Sequence, residues 1–353
     1  MRGELRAWLA QHPPPAADDT IALRDWQRAL HAGGWVGIHW PVEYGGRGAS
    51  VTQVAVYNEE LARAGAPPLL GRAGITLVGP TLIAHGTDAQ RARWMPRILS
   101  GDDVWCQLFS EPGAGSDLVA LSTRATKSGG VYRVTGQKVW SSYATSANMG
   151  IALVRTDADA PPHKGISMLA VPMDASGVDI RPLRQITGES EFNEVFLDDV
   201  VVPVDNLIGP ENDGWRVANT TLANERGASF IWREQVLHQA AIAALIAECA
   251  RRGVTNDAIV RQRLAQAWIE VELFRLHNEA GAEPSVAKLW WATISQHLAE
   301  TAVSTLGADA LVTPGQWAHA LLATRANSIM GGTSEIQRNL IGERLLGLPR
   351  EPK

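Results

Sequence analysis

Gln107-Leu-Phe-Ser-Glu-Pro-Gly-Ala-Gly-Ser-Asp117 lies just past Val104, where the chain stops reading as helix. Upstream, Ala22 to His31 and Val51 to Ala64 carry apolar residues at three-to-four spacing, and Thr81 to Leu99 continues the pattern with a polar outer face. Gly45-Gly46-Arg47-Gly48 and Ala66-Pro67-Pro68 punctuate these helices as loops. From Val104 to Asn212 the chain becomes short β-type runs separated by Gly, Pro, Asn and Asp. Val131 to Val134, a turn at Thr135-Gly136 and Gln137 to Trp140 predict a hairpin, and Met149 to Val154, Gly165 to Val171 and Glu194 to Phe196 predict further strands. Long helices return after Asp213. Ser285 reads as an N-cap, with Val286, Leu289, Trp290, Ile294, Leu298 and Leu306 along one face. Ser334 and Gln337 read as a capping box for a last helix, which Gly347-Leu-Pro349 stops. The order helical, β, helical predicts an α+β multidomain chain with boundaries near 104 and 213.

Composition narrows the function classes. With 353 residues, 45% hydrophobic and 20% charged, the chain is an ordinary folded one too long for a single core. A net charge of −5 gives no electrostatic reason to expect nucleic acid or an anionic membrane as the main partner. No apolar run approaches the ~18 residues that span a bilayer, and no basic segment followed by an apolar stretch opens the chain. Cys106 and Cys249 sit in apolar runs without metal or redox spacing; they read as buried thiols, which fits a reducing cytoplasm, the expected location. The nine histidines are scattered and none pairs at a metal-ligand spacing, so no metal site is expected. The 13 tryptophans read as packing at cores and subunit interfaces.

Four segments carry chemistry. In Ser110 to Asp117, Pro112 and two glycines permit a tight turn whose N–H groups can face an anion or a polar ring edge, although a plain surface turn accounts for it equally well. It is not a dinucleotide fingerprint, because the third glycine and the strand–helix context are missing. Gly136-Gln-Lys-Val-Trp-Ser-Ser142 sets an aromatic before two hydroxyls. In Gly214 to Arg226, helical spacing puts Ala218, Leu222, Glu225 and Ser229 on one face, so Glu225 interrupts an apolar stripe. A glutamate paired with an arginine is the plainer account of such a residue, since a lone buried carboxylate is costly. Ile329-Met-Gly-Gly-Thr-Ser-Glu-Ile-Gln-Arg338 is a helix start preceded by glycines.

Together these segments resemble the acyl-CoA dehydrogenase family of flavoenzymes, over nearly the whole chain from about Trp35 to Pro349. The resemblance implies an N-terminal helical domain (1–103), a middle β-barrel-like domain (104–212) and a C-terminal four-helix bundle (213–353), with FAD as cofactor. It places Gln107, Phe109, Ser110, Gly115 and Ser116 along the flavin or thioester, and Trp140, Ser141 and Ser142 against the ring. Thr333, Ser334 and Glu335 fall on the pyrophosphate or ribityl chain, and Ser116, Asn224, Arg226, Gly331 and Gly332 on the substrate side. In the family one carboxylate removes the α-proton of an acyl-CoA. It stands either before the Gly-Thr of the C-terminal segment, here Gly331, or before the arginine of the earlier helix, here Glu225. Glu225 is therefore the expected base, the flavin the hydride acceptor and a trans-2-enoyl-CoA the product. Implied partners are an acyl-CoA substrate, an electron-transfer flavoprotein or similar acceptor, and a homodimer or homotetramer. Several departures bear on assembly. The first helix starts late, and Glu272 to Ser285 is short. No Arg-x-Phe-Gly motif occurs around Arg251 to Arg261, and Ser304-Thr-Leu-Gly-Ala308 replaces the glutamine-rich Gly-Gly motif that reaches a neighbour's adenine. These departures favour an alternative: a subunit that completes, or half-fills, the flavin site of a hetero-oligomeric enzyme. A nucleic-acid-binding relative is disfavoured by the acidic charge.

Overall fold

The computed structural model describes residues 1–225, 228–281, 283–312 and 315–350. They divide into two units, Met1–Val54 with Arg63–Glu225, and Ala55–Ala62 with Arg226–Lys353. The first unit holds helices α1 (Arg2–Gln11), α2 (Thr20–Ala32), α4 (Gly79–His85) and α5 (Asp88–Ser100), whereas α3 (Val51–Arg63) belongs for most of its length, Ala55–Ala62, to the second unit. The single periodic run from Thr81 to Leu99 is thus two helices. Gly86 is extended, and Thr87 starts α5 with a capping box: Gln90 N–H donates to Thr87 Oγ1 at 3.2 Å and Thr87 N–H to Gln90 Oε1 at 3.1 Å. Periodicity alone does not register this break, because apolar residues at three-to-four spacing continue on both sides of it.

Strands β1 (Trp105–Leu108), β2 (Arg124–Ser128), β3 (Val131–Ser142), β4 (Met149–Arg155), β5 (Ile166–Pro172), β6 (Val178–Leu183), β7 (Phe192–Pro203) and β8 (Leu207–Ile208) form one sheet, ordered β6-β7-β3-β2-β4-β5-β8 with β1 parallel on β4. Alternate residues Tyr132, Val134, Val195, Leu197, Val200 and Val202 point into one core, whereas β4 and β5 are buried along nearly their whole length.

The expected hairpin at Thr135-Gly136 is absent. β3 runs unbroken, and the reversal lies earlier, at Gly129-Gly130, where Ser128 pairs with Val131. Gly136 is glycine for a different reason. A Cβ there would lie 2.4 Å from Thr123 Oγ1 and 2.6 Å from Thr123 Cα, and the register with β7 slips beside it.

Helix α6 (Gly214–Glu225) closes the first unit. The second unit is helix-rich: α7 (Ala228–Arg251), α8 (Ala258–Glu279) and α9 (Pro284–Leu306) are long, and the shorter α10 (Gln316–Ala323) and α11 (Ser334–Leu340) lie against α9. Ile242, Leu245, Leu264, Val271, Leu298 and Ala302 form the core of the three long helices. Ser285 is not the cap of α9. Glu283 is, its Oε2 accepting from Ser285 N at 2.7 Å and Val286 N at 3.2 Å, with Pro284 in the first turn where its missing N–H costs nothing. The buried stripe runs through Ala287, Lys288, Trp291, Ile294 and Leu298, leaving Val286, Leu289 and Trp290 half-buried. Thr333, not Ser334, caps α11, accepting from Ile336 N at 3.2 Å.

Gly136→Ala tests the strand assignment. Overpacking against Thr123 should lower unfolding stability by about 1–3 kcal/mol, read by urea denaturation, whereas an alanine in an open turn would be far better tolerated.

Candidate active site

The turn after β1 is fixed from below by a buried ion pair. Lys138 of β3 is fully buried; its Nζ donates to Glu111 Oε1 at 2.8 Å and to Phe109 O at 3.0 Å. Glu111 in turn accepts Ser122 N and Oγ on Oε2 at 2.7 and 2.8 Å, and Thr123 N on Oε1 at 2.9 Å. Val139 N–H donates to Ser110 O at 2.9 Å, so the two segments are joined on both sides of the pair. Burial alone would raise the Glu111 carboxyl, but the Lys138 charge and these hydrogen bonds overcome it and hold the group at about 2. Lys138 has fewer partners, and burial draws it down to about 8 against the pull of Glu111. On this footing the turn presents Ser110 half-buried and Ser116 exposed, and no atom lies within 4 Å of a Cβ built at Gly113 or Gly115. Gln107 is half-buried on β1, and Phe109 is buried behind the turn.

Two residues beyond Lys138 the strand bulges. The β3–β7 register shifts between Lys138 and Ser141, and Trp140 takes φ +60°. Positive φ is uncommon for a bulky residue and costs of order 1–2 kcal/mol. Its effect here is to turn the indole outward, 59% exposed, with the Phe192 ring edge-on at 6.0 Å. Ser141 then faces inward, and its buried Oγ has no hydrogen-bond partner among the described residues. Ser142 is half-buried.

Helix α6 buries Val217, Ala218 and Thr221; Glu225, one turn on from Thr221, is its half-buried last residue. The helix is anchored to α4 by Thr81 Oγ1–Thr221 Oγ1 at 2.8 Å and His85 Nε2–Thr220 Oγ1 at 2.7 Å. Asn224 Nδ2 donates to Thr220 O at 2.9 Å, committing one donor to its own helix. The expected face from Ala218 through Glu225 to Ser229 crosses residues 226 and 227, which lie outside the described residues. Arg226 lies outside the described residues.

In the second unit Gly331 and Gly332 adopt φ +66° and +89°. Thr333, Ser334 and Glu335 line a cavity of about 330 Å³ with Thr293, Gln296 and Arg338. The exposed Glu335 carboxyl is held below its ordinary range by hydrogen bonds from its own backbone and from Thr333, with the Arg338 and Lys288 charges adding to them. Gln337, expected in a capping box, is instead fully buried and donates to Gly331 O at 3.1 Å and Gly332 O at 3.2 Å. Lys288, absent from the sequence-derived site, donates to Gly332 O at 2.6 Å. Its signal was visible: it is the only Lys, Arg, Asp or Glu between Ser285 and Leu298, within an apolar run.

Residues 1–102, 106–200 and 212–346 match the N-terminal, middle and C-terminal domains of acyl-CoA dehydrogenase. The chain is 39% identical to acyl-CoA dehydrogenase IpdE1 of Mycobacterium tuberculosis, over 100% of this chain and 98% of that protein. This chain belongs to the acyl-CoA dehydrogenase family. Among solved structures, the Tcur3481–Tcur3483 steroid ACAD superposes with a TM-score of 0.87 at 29% identity. The ChsE4–ChsE5 complex from Mycobacterium tuberculosis does so at 0.86 and 30%; each covers 99% of this chain and 97% of the other. Like its relatives, this acyl-CoA dehydrogenase is an oxidoreductase, and membership implies FAD. The residues present fit a flavin: an outward indole, serine hydroxyls at 110, 116 and 142, the unpartnered Ser141 Oγ, and open space over Gly113 and Gly115. Among the described residues of this acyl-CoA dehydrogenase no helix is long and apolar enough to cross a membrane.

Lys138→Met should leave Glu111 as a buried, uncompensated charge and cost about 3–5 kcal/mol in unfolding stability. The pH dependence has a definite sign. Because the folded Glu111 carboxyl lies at about 2 rather than 4.5, the unfolded chain binds more protons in between. The contribution is complete above pH 4.5 and declines as pH falls towards 2. Thermal melts of wild type and Glu111→Gln across that range should therefore converge at the acid end.

Proposed function

We propose that this chain catalyses FAD-dependent α,β-dehydrogenation of an acyl-CoA thioester as one subunit of a hetero-oligomeric acyl-CoA dehydrogenase. The observation that carries the assembly is the likeness, over almost the full length of each chain, to two structures both named as pairs of different proteins. The missing Arg-x-Phe-Gly and Gly-Gly motifs agree with it, since another subunit then supplies the adenine-side contacts. One of the two is named a steroid ACAD, which supports a bulky fused-ring acyl group as substrate. The glycine at 331, in place of a larger side chain, is compatible with that bulk.

In this reading Glu225 is the base. Its support is positional: it follows Thr221 by one turn on the inward side of α6, and α6 is tied to α4 by two side-chain hydrogen bonds. The alternative base position is disfavoured twice, by composition and by geometry, because Gly331 has φ +66° and a glutamate there would be strained. Hydrogen bonds to the thioester oxygen acidify the α-carbon, and a carboxylate shielded from water takes the proton. FAD, when bound, accepts the hydride from the β-carbon. Trp140 covers one face of the ring site, Ser142 and Ser110 offer donors at its edge, and the Glu111–Lys138 pair holds both segments in register. Ser116 and Asn224 serve the thioester side together with Arg226, and Thr333, Ser334 and Glu335 the phosphate-bearing chain. Electron-transfer flavoprotein or a similar carrier reoxidises the enzyme.

Glu225→Gln should retain FAD yet lose ~10²–10⁴-fold in kcat, the usual worth of a general base. Anaerobic bleaching of the flavin against a panel of straight-chain, branched and steroid-derived acyl-CoAs measures both the loss and the preference. Near-normal turnover in the variant would remove Glu225 from the mechanism. Full FAD loading and full activity of the chain purified alone would remove the second subunit.

A further inference from the structure

Lys288 is 2% exposed in the second turn of α9, and its Nζ donates to Gly332 O at 2.6 Å and Asn327 O at 3.0 Å. From α11 the fully buried Gln337 reaches the same segment, donating to Gly331 O and Gly332 O. The Gly332 carbonyl is thus drawn inward by two donors. In a trans peptide the C=O and the following N–H point in opposite directions. Fixing Gly331 O and Gly332 O therefore turns the N–H groups of Gly332 and Thr333 away from the lysine and glutamine. Neither N–H donates to an acceptor within the described residues. Two successive left-handed glycines have many alternatives open to them, so this orientation requires outside restraint. Burying an ammonium is costly, and filling the same volume would need no charge.

We propose that Lys288 is a positioning residue for ligand binding. Through the Gly332 carbonyl, and together with Gln337, it holds the Gly332 and Thr333 N–H groups as paired donors for an oxygen of the bound flavin or acyl thioester. The inference rests on the flavin–thioester reading given above, and it assigns Lys288 to binding and not to proton transfer.

The test uses the assembled, FAD-loaded enzyme. Lys288→Met should raise the Kd for FAD or the KM for acyl-CoA roughly tenfold, the worth of one lost or misdirected hydrogen bond in a buried setting. Meanwhile kcat per bound FAD should stay within about threefold, since the base is elsewhere. Gln337→Met perturbs the same carbonyls from the other side and should give the same split; the double variant should fall short of additivity. If Lys288→Met fails to fold, Lys288→Gln, which keeps a shorter donor, carries the test and should show an intermediate rise. A folded variant with lowered melting temperature but unchanged Kd and KM makes the lysine merely structural and overturns the proposal. Wild-type enzyme that neither binds FAD nor turns over overturns the underlying reading and this inference with it. Normal wild type with normal variants overturns the inference alone.

Discussion

The buried ion pair between Lys138 and Glu111 is the interaction on which the β-domain face depends. Neither charge could stay there alone, since each carries a desolvation penalty of several kcal/mol. Their presence therefore requires that β3 and the turn after β1 stay together. Around the pair, the hydrogen bonds from Ser122, Thr123 and Val139 convert a pairwise attraction into a fixed framework. The strained Trp140 backbone is a consequence. Lys138 is anchored two residues before it, and the Ser141 carbonyl, one after it, accepts Asn193 Nδ2 at 2.9 Å. With both flanks held, the extra residue of the bulge is left in the left-handed region and the indole faces out.

The helical, β, helical order was legible because it rests on local periodicity, and local periodicity survives tertiary context. Turns and caps were less so. Thr135-Gly136 satisfies every local criterion for a turn, yet Gly136 answers a contact with Thr123, thirteen positions earlier in the chain. Ser285 satisfies the local criterion for a cap, but Glu283 before Pro284 reaches the same N–H groups. The break at Gly86-Thr87 was hidden in an unbroken apolar rhythm, though Thr87 and Gln90 stood at capping-box spacing.

Motifs gave the flavin-side segments, but not the groups that hold them. Glu111 lay inside the quoted turn and Lys138 inside the quoted strand, and nothing in the spacing of two residues so far apart announced a pair. A lone charge in an amphipathic helix ordinarily belongs to its solvated face, so sequence alone does not mark Lys288 as buried. Here the buried stripe of α9 runs through Ala287, Lys288 and Trp291 and carries the lysine inward.

The tandem glycines carry this dependence furthest. Gly331 is more than a missing carboxylate, because at φ +66° the backbone itself disfavours any side chain, by about 1–2 kcal/mol. In the proposed enzyme this segment delivers no base and takes a conformation that a glutamate would resist. That conformation is unstable without support, and Lys288 and Gln337 supply it through the carbonyls. In the proposed enzyme, moving proton abstraction to α6 and committing the C-terminal segment to binding are therefore one structural change rather than two. A glutamate placed at 331 would have to bear that left-handed backbone, at about 1–2 kcal/mol, before it could reach any substrate.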